Sequence, residues 1–212
     1  MILNKIIFTL ITAAGISFTA CDNDNNNPDN KPSGHQHPAA QPHDQNIMMT
    51  IMHNSMNMDS MKHSGDPDHD FAIMMKDHHM GAIKMAEEEL KTGDDAKMRE
   101  MATMMKEMQE KEILELDSFL KAHQPTGMNM DFTSEAKAAM HKMETDADKQ
   151  LLTGDTDHDF ASLMIPHHVS ATDMATSYLK YGKDGKLRAM AEKMVSDQKK
   201  EITELQTWLK YN

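Results

Sequence analysis

The sequence predicts an all-α protein in which two duplicated helical hairpins close into a four-helix bundle. Three observations predict it. The stretch "HDFAIMMKDHHMGAIKMA" from His69 returns as "HDFASLMIPHHVSATDMA" from His158, 158 − 69 = 89 positions later. At that offset Asp68–Lys121 matches Asp157–Lys210 without a gap and with roughly half the positions identical, which marks an internal duplication. The shared positions recur at steps of three and four, the spacing of one helical face. Aromatics are only 5% of the chain, which suits helices better than a β-sandwich.

Taken in order, residues 1–20 carry Lys5 and then an apolar run from Ile6 to Ala20. The run is short for a membrane span and fits a secretory signal. Its ending "FTAC" resembles a lipobox, with Cys21 as the lipidated residue, although Phe18 is unusual at the first position. Ordinary cleavage near Ala20, or an uncleaved anchor, is the alternative. Cys21 is the chain's one cysteine, so disulfides within it are excluded. Residues 21–46 are polar, Pro-containing and aperiodic, as expected of a disordered tether, and they include His35, His37 and His43. Residues 47–63 place Met49, Met52, His53 and Met56 on one helical face. Either this is a short amphipathic helix packed on the domain, or it is a Met/His arm that collects metal.

The first hairpin occupies residues 64–125, with helices from about Asp68 to Lys91 and from about Asp95 to Lys121. Gly93 reads as its C′ glycine, and Gly182 does the same in the second copy, residues 157–212. The connecting segment 126–156 contains a further helix, Thr133–Leu152, whose "MHKM" around Met140 and His141 echoes "MHNSM" from Met52. Proline inside a helix removes a backbone bond. Pro166, where the first copy has Asp77, is therefore either a kink that re-aims His167 and His168 or a tolerated bend.

The chain holds 24 methionines among 212 residues, against an ordinary usage of roughly 2%. The formal charge of −12 repels phosphate backbones and speaks against nucleic acid as a partner. The inward stripe of the first helices carries His78 and His79 with Met75 and Met85, and His167 and His168 with Met164 and Met174. Imidazoles and thioethers with small alanines between them suit a soft, low-coordinate ion, Cu(I) or Ag(I), better than Zn(II). Gln109 and Glu112, with Gln198 and Glu201, lie on the partner helices as groups that would fix the imidazole tautomers. His69 and His158 stand near the helix starts, where they either reach the site or face solvent. A di-iron oxidase would need a carboxylate three residues before its ligand histidines, but Met75 and Met164 stand three before His78 and His167. Purely structural histidines, bonded within the core, are the other alternative.

The pattern "DFAxxMxxHHxxAxxMA" followed by "QxxEI" resembles domain-of-unknown-function family 305 over Asp68 to about Lys210. The resemblance implies secretion and a ferritin-like four-helix bundle of two hairpin repeats. The Met-rich, copper-binding periplasmic members of the family imply a copper role. Family members often read "IPHH", which Ile165–His168 matches; the first copy departs with "KDHH", which would leave the halves unequal. The expected function is extracytoplasmic sequestration or hand-over of copper, without catalysis, on a lipid-anchored protein at a membrane. A metal oxidase or a structural bundle is the alternative.

Overall fold

The computed structural model describes residues 42–55, 63–127 and 129–212. Among the described residues there is no strand. A 3₁₀ turn at His43–Gln45 leads into α1 (Ile47–Asn54), followed by α2 (Pro67–Thr92), α3 (Ala96–Ala122), α4 (Met130–Ala147), α5 (Thr156–Tyr181) and α6 (Gly185–Tyr211). The protein is an all-α bundle. The expected signal and Cys21, with His35, His37 and Met56, lie outside the described residues. Among the described residues no helix is long and apolar enough to cross a membrane.

Helices α2 and α5, the first of each repeat, lie antiparallel and form the centre. Phe71 near the start of α2 stacks on Tyr178 near the end of α5, with ring centroids 4.1 Å apart. Helix α3 folds back on α2 and α6 on α5, while α4 packs on α5 and α2, and α1 on both. Methionine dominates the core: Met75, Met85, Met164 and Met174 are all fully buried. A flexible thioether fills irregular gaps where aromatics are scarce.

Each long helix of the repeats begins at an aspartate. Asp66, Asp95, Asp155 and Asp184 accept backbone N–H groups from the first turn, the pairing that favours aspartate at an N-cap. The first helices end at Gly93 and Gly182, as the sequence reads, but without the backbone form usual for a terminal glycine. Gly93 and Gly182 are extended, at φ −68° and −69°, and not left-handed. They are glycine because a Cβ would run into the side chains of Glu89 and Tyr178, which fold across them. The freed helix-end carbonyls are taken by arginine. Arg99 Nη1 donates to Leu90 and Gly93, and Arg188 Nη1 donates to Leu179 and Gly182.

The repeated "DHDF" is a pair of stitches. Asp68 Oδ1 accepts from Tyr178 Oη and from the N–H groups of Lys183 and Asp184, in the hairpin turn of the other repeat. Asp157 does the same for the turn of the first repeat, accepting from Asp94 and Asp95. Asp70 accepts from Ser64 and Gly65 before α2 and from Thr133 Oγ1 on α4. Asp159 accepts from Thr153 and Gly154, and from Asn46 Nδ2 at the cap of α1. Gly65 and Gly154, at φ 77° and 81°, make these two loops possible.

Two sequence expectations are corrected here. The connecting helix runs from Met130 to Ala147 and not from Thr133 to Leu152, because Asn129 caps its start three residues earlier. The tether does not extend to residue 46: His43 Nε2 meets the Gln150 carbonyl at 2.9 Å, and Asn46 is anchored on Asp159. Pro166 is accommodated within α5, which is helical from Thr156 to Tyr181.

Candidate metal centre

His78 of α2 and His167 of α5 are mates under the duplication, 78 + 89 = 167, and they meet. Their ring centroids lie 3.7 Å apart at an interplanar angle of 43°. Two mates in contact fix the pseudo-twofold axis of the molecule, which must pass between them. The adjacent histidines on each helix repeat one local geometry. His78 and His79 are separated by 6.4 Å at 65°, and His167 and His168 by 6.3 Å at 62°. All four are buried.

The outer histidines turn away from the axis toward the second helix of their own hairpin. His79 Nε2 lies 2.9 Å from Glu112 Oε2 on α3. His168 Nε2 lies 3.0 Å from Glu201 Oε2 on α6, close enough for an ion contact but without hydrogen-bond alignment. Gln109 and Gln198 are buried on the same helices; neither amide oxygen, nor the Gln109 nitrogen, has a hydrogen-bond partner. Both ring nitrogens of His78 and Nδ1 of His79, His167 and His168 are also buried without a partner. Buried polar atoms in folded proteins are nearly always paired, so such a cluster marks a place built for something the chain does not itself supply.

Electrostatics keep the central pair neutral. The pKa values of His78 and His167 are held well below the usual histidine range, first by burial and then by the neighbouring histidines. A neutral imidazole presents a lone pair, as a metal ligand must. Among the described residues no three His, Cys, Asp or Glu side chains converge as a metal-holding group. The donors that meet here are two neutral imidazoles.

The other sequence candidates are dispersed. Met75 lies one turn before His79, Met85 two turns after His78, and Met164 and Met174 repeat these positions on α5. His69 and His158 stand nine residues, about 13 Å, before the central pair on their helices, so they do not join it. His69 approaches Ser64 and Asp70, and His158 approaches Ser162 and Asp159. Met52 is buried in α1, while His53 beside it is largely exposed and faces Asp148 at 3.5 Å. Met140 is buried on α4, and His141 is exposed against Glu144. Sequence reasoning missed Asp68, Asp70, Asp157 and Asp159 as the residues that set the register of the site. Their identity in both copies was the available signal.

The chain belongs to the family described as "Domain of unknown function (DUF305)", whose model matches residues 18–120 and 119–209. Its fold is similar to CopM in an Ag-bound form obtained by soaking, with 25% identity, a TM-score of 0.52, and coverage of 68% of this chain and 95% of that one. CopM in a Cu(II)-bound form is similar at 25% identity and a TM-score of 0.51, over 68% of this chain and 97% of that one. A DUF305 protein from Streptomyces coelicolor shares the fold at 22% identity and a TM-score of 0.54, over 68% and 91%. No curated protein sequence matches this chain.

Proposed function

We propose that this protein binds copper outside the cytoplasm, as Cu(I), and sequesters it or hands it on, with Ag(I) as a close surrogate. One observation carries the proposal: His78 and His167, mates under the duplication, meet on the pseudo-twofold with His78's ring nitrogens and His167 Nδ1 buried and unpartnered. The donor set fits the cargo. Cu(I) and Ag(I) accept low coordination by neutral nitrogen and sulfur, whereas Zn(II) or paired iron would want more nitrogen or carboxylate than converges here. The similar CopM structures hold Ag and Cu(II), which supports copper and silver as the metals, while the choice of Cu(I) rests on the donor set.

The site is single and shared. One ion at the axis takes His78 from the first repeat and His167 from the second, which makes one such site per chain. His79 and His168 position the frame through Glu112 and Glu201, and Met75, Met85, Met164 and Met174 supply the soft, dry surroundings. Cys21 after its apolar leader would tether the protein to a membrane through lipid. Fatty-acid labelling lost in Cys21→Ser tests that separately.

The decisive experiment is metal analysis of protein purified under reducing conditions, with an oxygen-uptake assay beside it. The expected result is tight Cu(I) or Ag(I) at about one ion per chain for the tightest site, no oxygen consumption, and loss of tight binding when His78, His79, His167 and His168 are all replaced. Tight binding that survives the quadruple variant would sink the proposal.

A further inference from the structure

The two halves differ at a position three residues after each central histidine. Gly81 on α2 lies against His167: a Cβ there would stand 3.4 Å from His167 Nε2 and 2.8 Å from Ser55 Cβ of α1. Its mate, 81 + 89 = 170, is Ser170 on α5. Because His78 and His167 meet as mates, Ser170 holds in the second half the position that Gly81 holds in the first, the one facing the opposite central histidine. Ser170 is buried, and its hydroxyl donates across to Sδ of Met140 on α4 at 3.5 Å.

That choice of partner is informative. A serine or threonine within a helix ordinarily bonds back to a carbonyl three or four residues earlier, as Thr103 does to Arg99 and Thr172 to Val169. Ser170 instead holds a thioether, and both nitrogens of His78 are buried and unpartnered. A sulfur has two lone pairs; the hydroxyl engages one and turns the other free.

The geometry points to Met140 as the thioether ligand that completes the His78–His167 pair, giving a soft ion two imidazole nitrogens and one sulfur. This rests on the proposed placement of the ion at that pair. Met140 comes from the helix between the repeats, so the repeats alone are an incomplete site. Across the axis α1 presents Ser55, a hard oxygen, which leaves the centre lopsided. Ser170 is a positioning residue that acts through Met140.

Ag(I) is the probe, because it does not change oxidation state during titration. Met140→Leu conserves volume and should leave the fold intact by circular dichroism. Its Ag(I) affinity should fall by about tenfold or more, since even residues that only support a ligand are worth that much. Silver-edge X-ray absorption should show a sulfur neighbour in the wild type and lose it in Met140→Leu. Met98→Leu, an equally buried methionine about 21 Å along α3 from Glu112, should change neither. Ser170→Ala should lower the affinity while keeping the sulfur neighbour. If the double variant His78→Gln/His167→Gln abolishes tight binding but Met140→Leu keeps both affinity and sulfur, the inference is overturned and the axial site stands. If the double variant binds as tightly as wild type, the axial site falls too.

Discussion

Glu89 shows how a single residue can mark where the two halves diverge. Its mate is Tyr178, whose hydroxyl donates to Asp68; in the same place Glu89 faces Asp157 and has no donor of its own unless it is protonated. Burial, and then Asp157, push its carboxyl up to about 9. The native state therefore keeps a proton that the unfolded chain releases near pH 4.5, its ordinary value. Stability from this group is full below that pH and is lost as pH rises through about 9. Glu89→Gln keeps an N–H donor for Asp157 and removes the titration. Its thermal midpoint should match the wild type near pH 4 and exceed it at pH 9, by an amount on the order of a few kcal/mol in stability. Parallel midpoints across the whole range would show that Glu89 is ionised in the fold. None of this was legible in the sequence, where a glutamate near the end of an amphipathic helix reads as solvated. Only the chain crossing that buries it beside Asp157 gives it another role.

The helices of the two hairpins were legible because shared apolar positions at steps of three and four survive duplication while surface positions drift. The status of α1 was not. Its eight residues are too few for a helix that stands alone, and whether it docks depends on partners far away in sequence. Met48, Met49 and Met52 are buried against the bundle, so these thioethers are core and not a solvent-facing collector. The helix is anchored by Asn46 on Asp159, which also closes the loop before α5. Burial alone would raise the Asp159 carboxyl, but the hydrogen bonds from His158, Thr153, Asn46 and Gly154 hold it below the usual carboxylate range. Its contribution is present above the unfolded pKa near 3.8 and disappears as pH falls through the lowered native value. Asp159→Ala strips the acceptor from several donors at once and should cost on the order of 3 kcal/mol in urea denaturation. Amide exchange should quicken across 47–54 while α6 stays protected. Unchanged exchange in α1 would mean that methionine packing alone holds it.

At the scale of the molecule, the duplication means more than economy of sequence. A repeat that pairs with its own copy generates an axis, and residues that meet their mates on that axis belong to both halves equally. Which histidine of each adjacent pair would do so could not be read from spacing: consecutive helix positions point about 100° apart, and both choices lie beside the apolar stripe. The antiparallel crossing of α2 and α5 makes the selection, bringing His78 to His167 and sending His79 and His168 outward to Glu112 and Glu201. The crossing itself is fixed by Asp68 and Asp157, each pinned into the other repeat's turn. A site shared on an axis loses as much from one half as from both. His78→Ala and His167→Ala should each abolish the tightest Ag(I) binding, and the double variant should be no worse than either single one. Two independent sites would behave differently, with each single variant keeping one tight ion and only the double losing both. Stoichiometry from silver titration of the two single variants separates these cases. A retained tight ion in either would place the centre within a repeat and not between them.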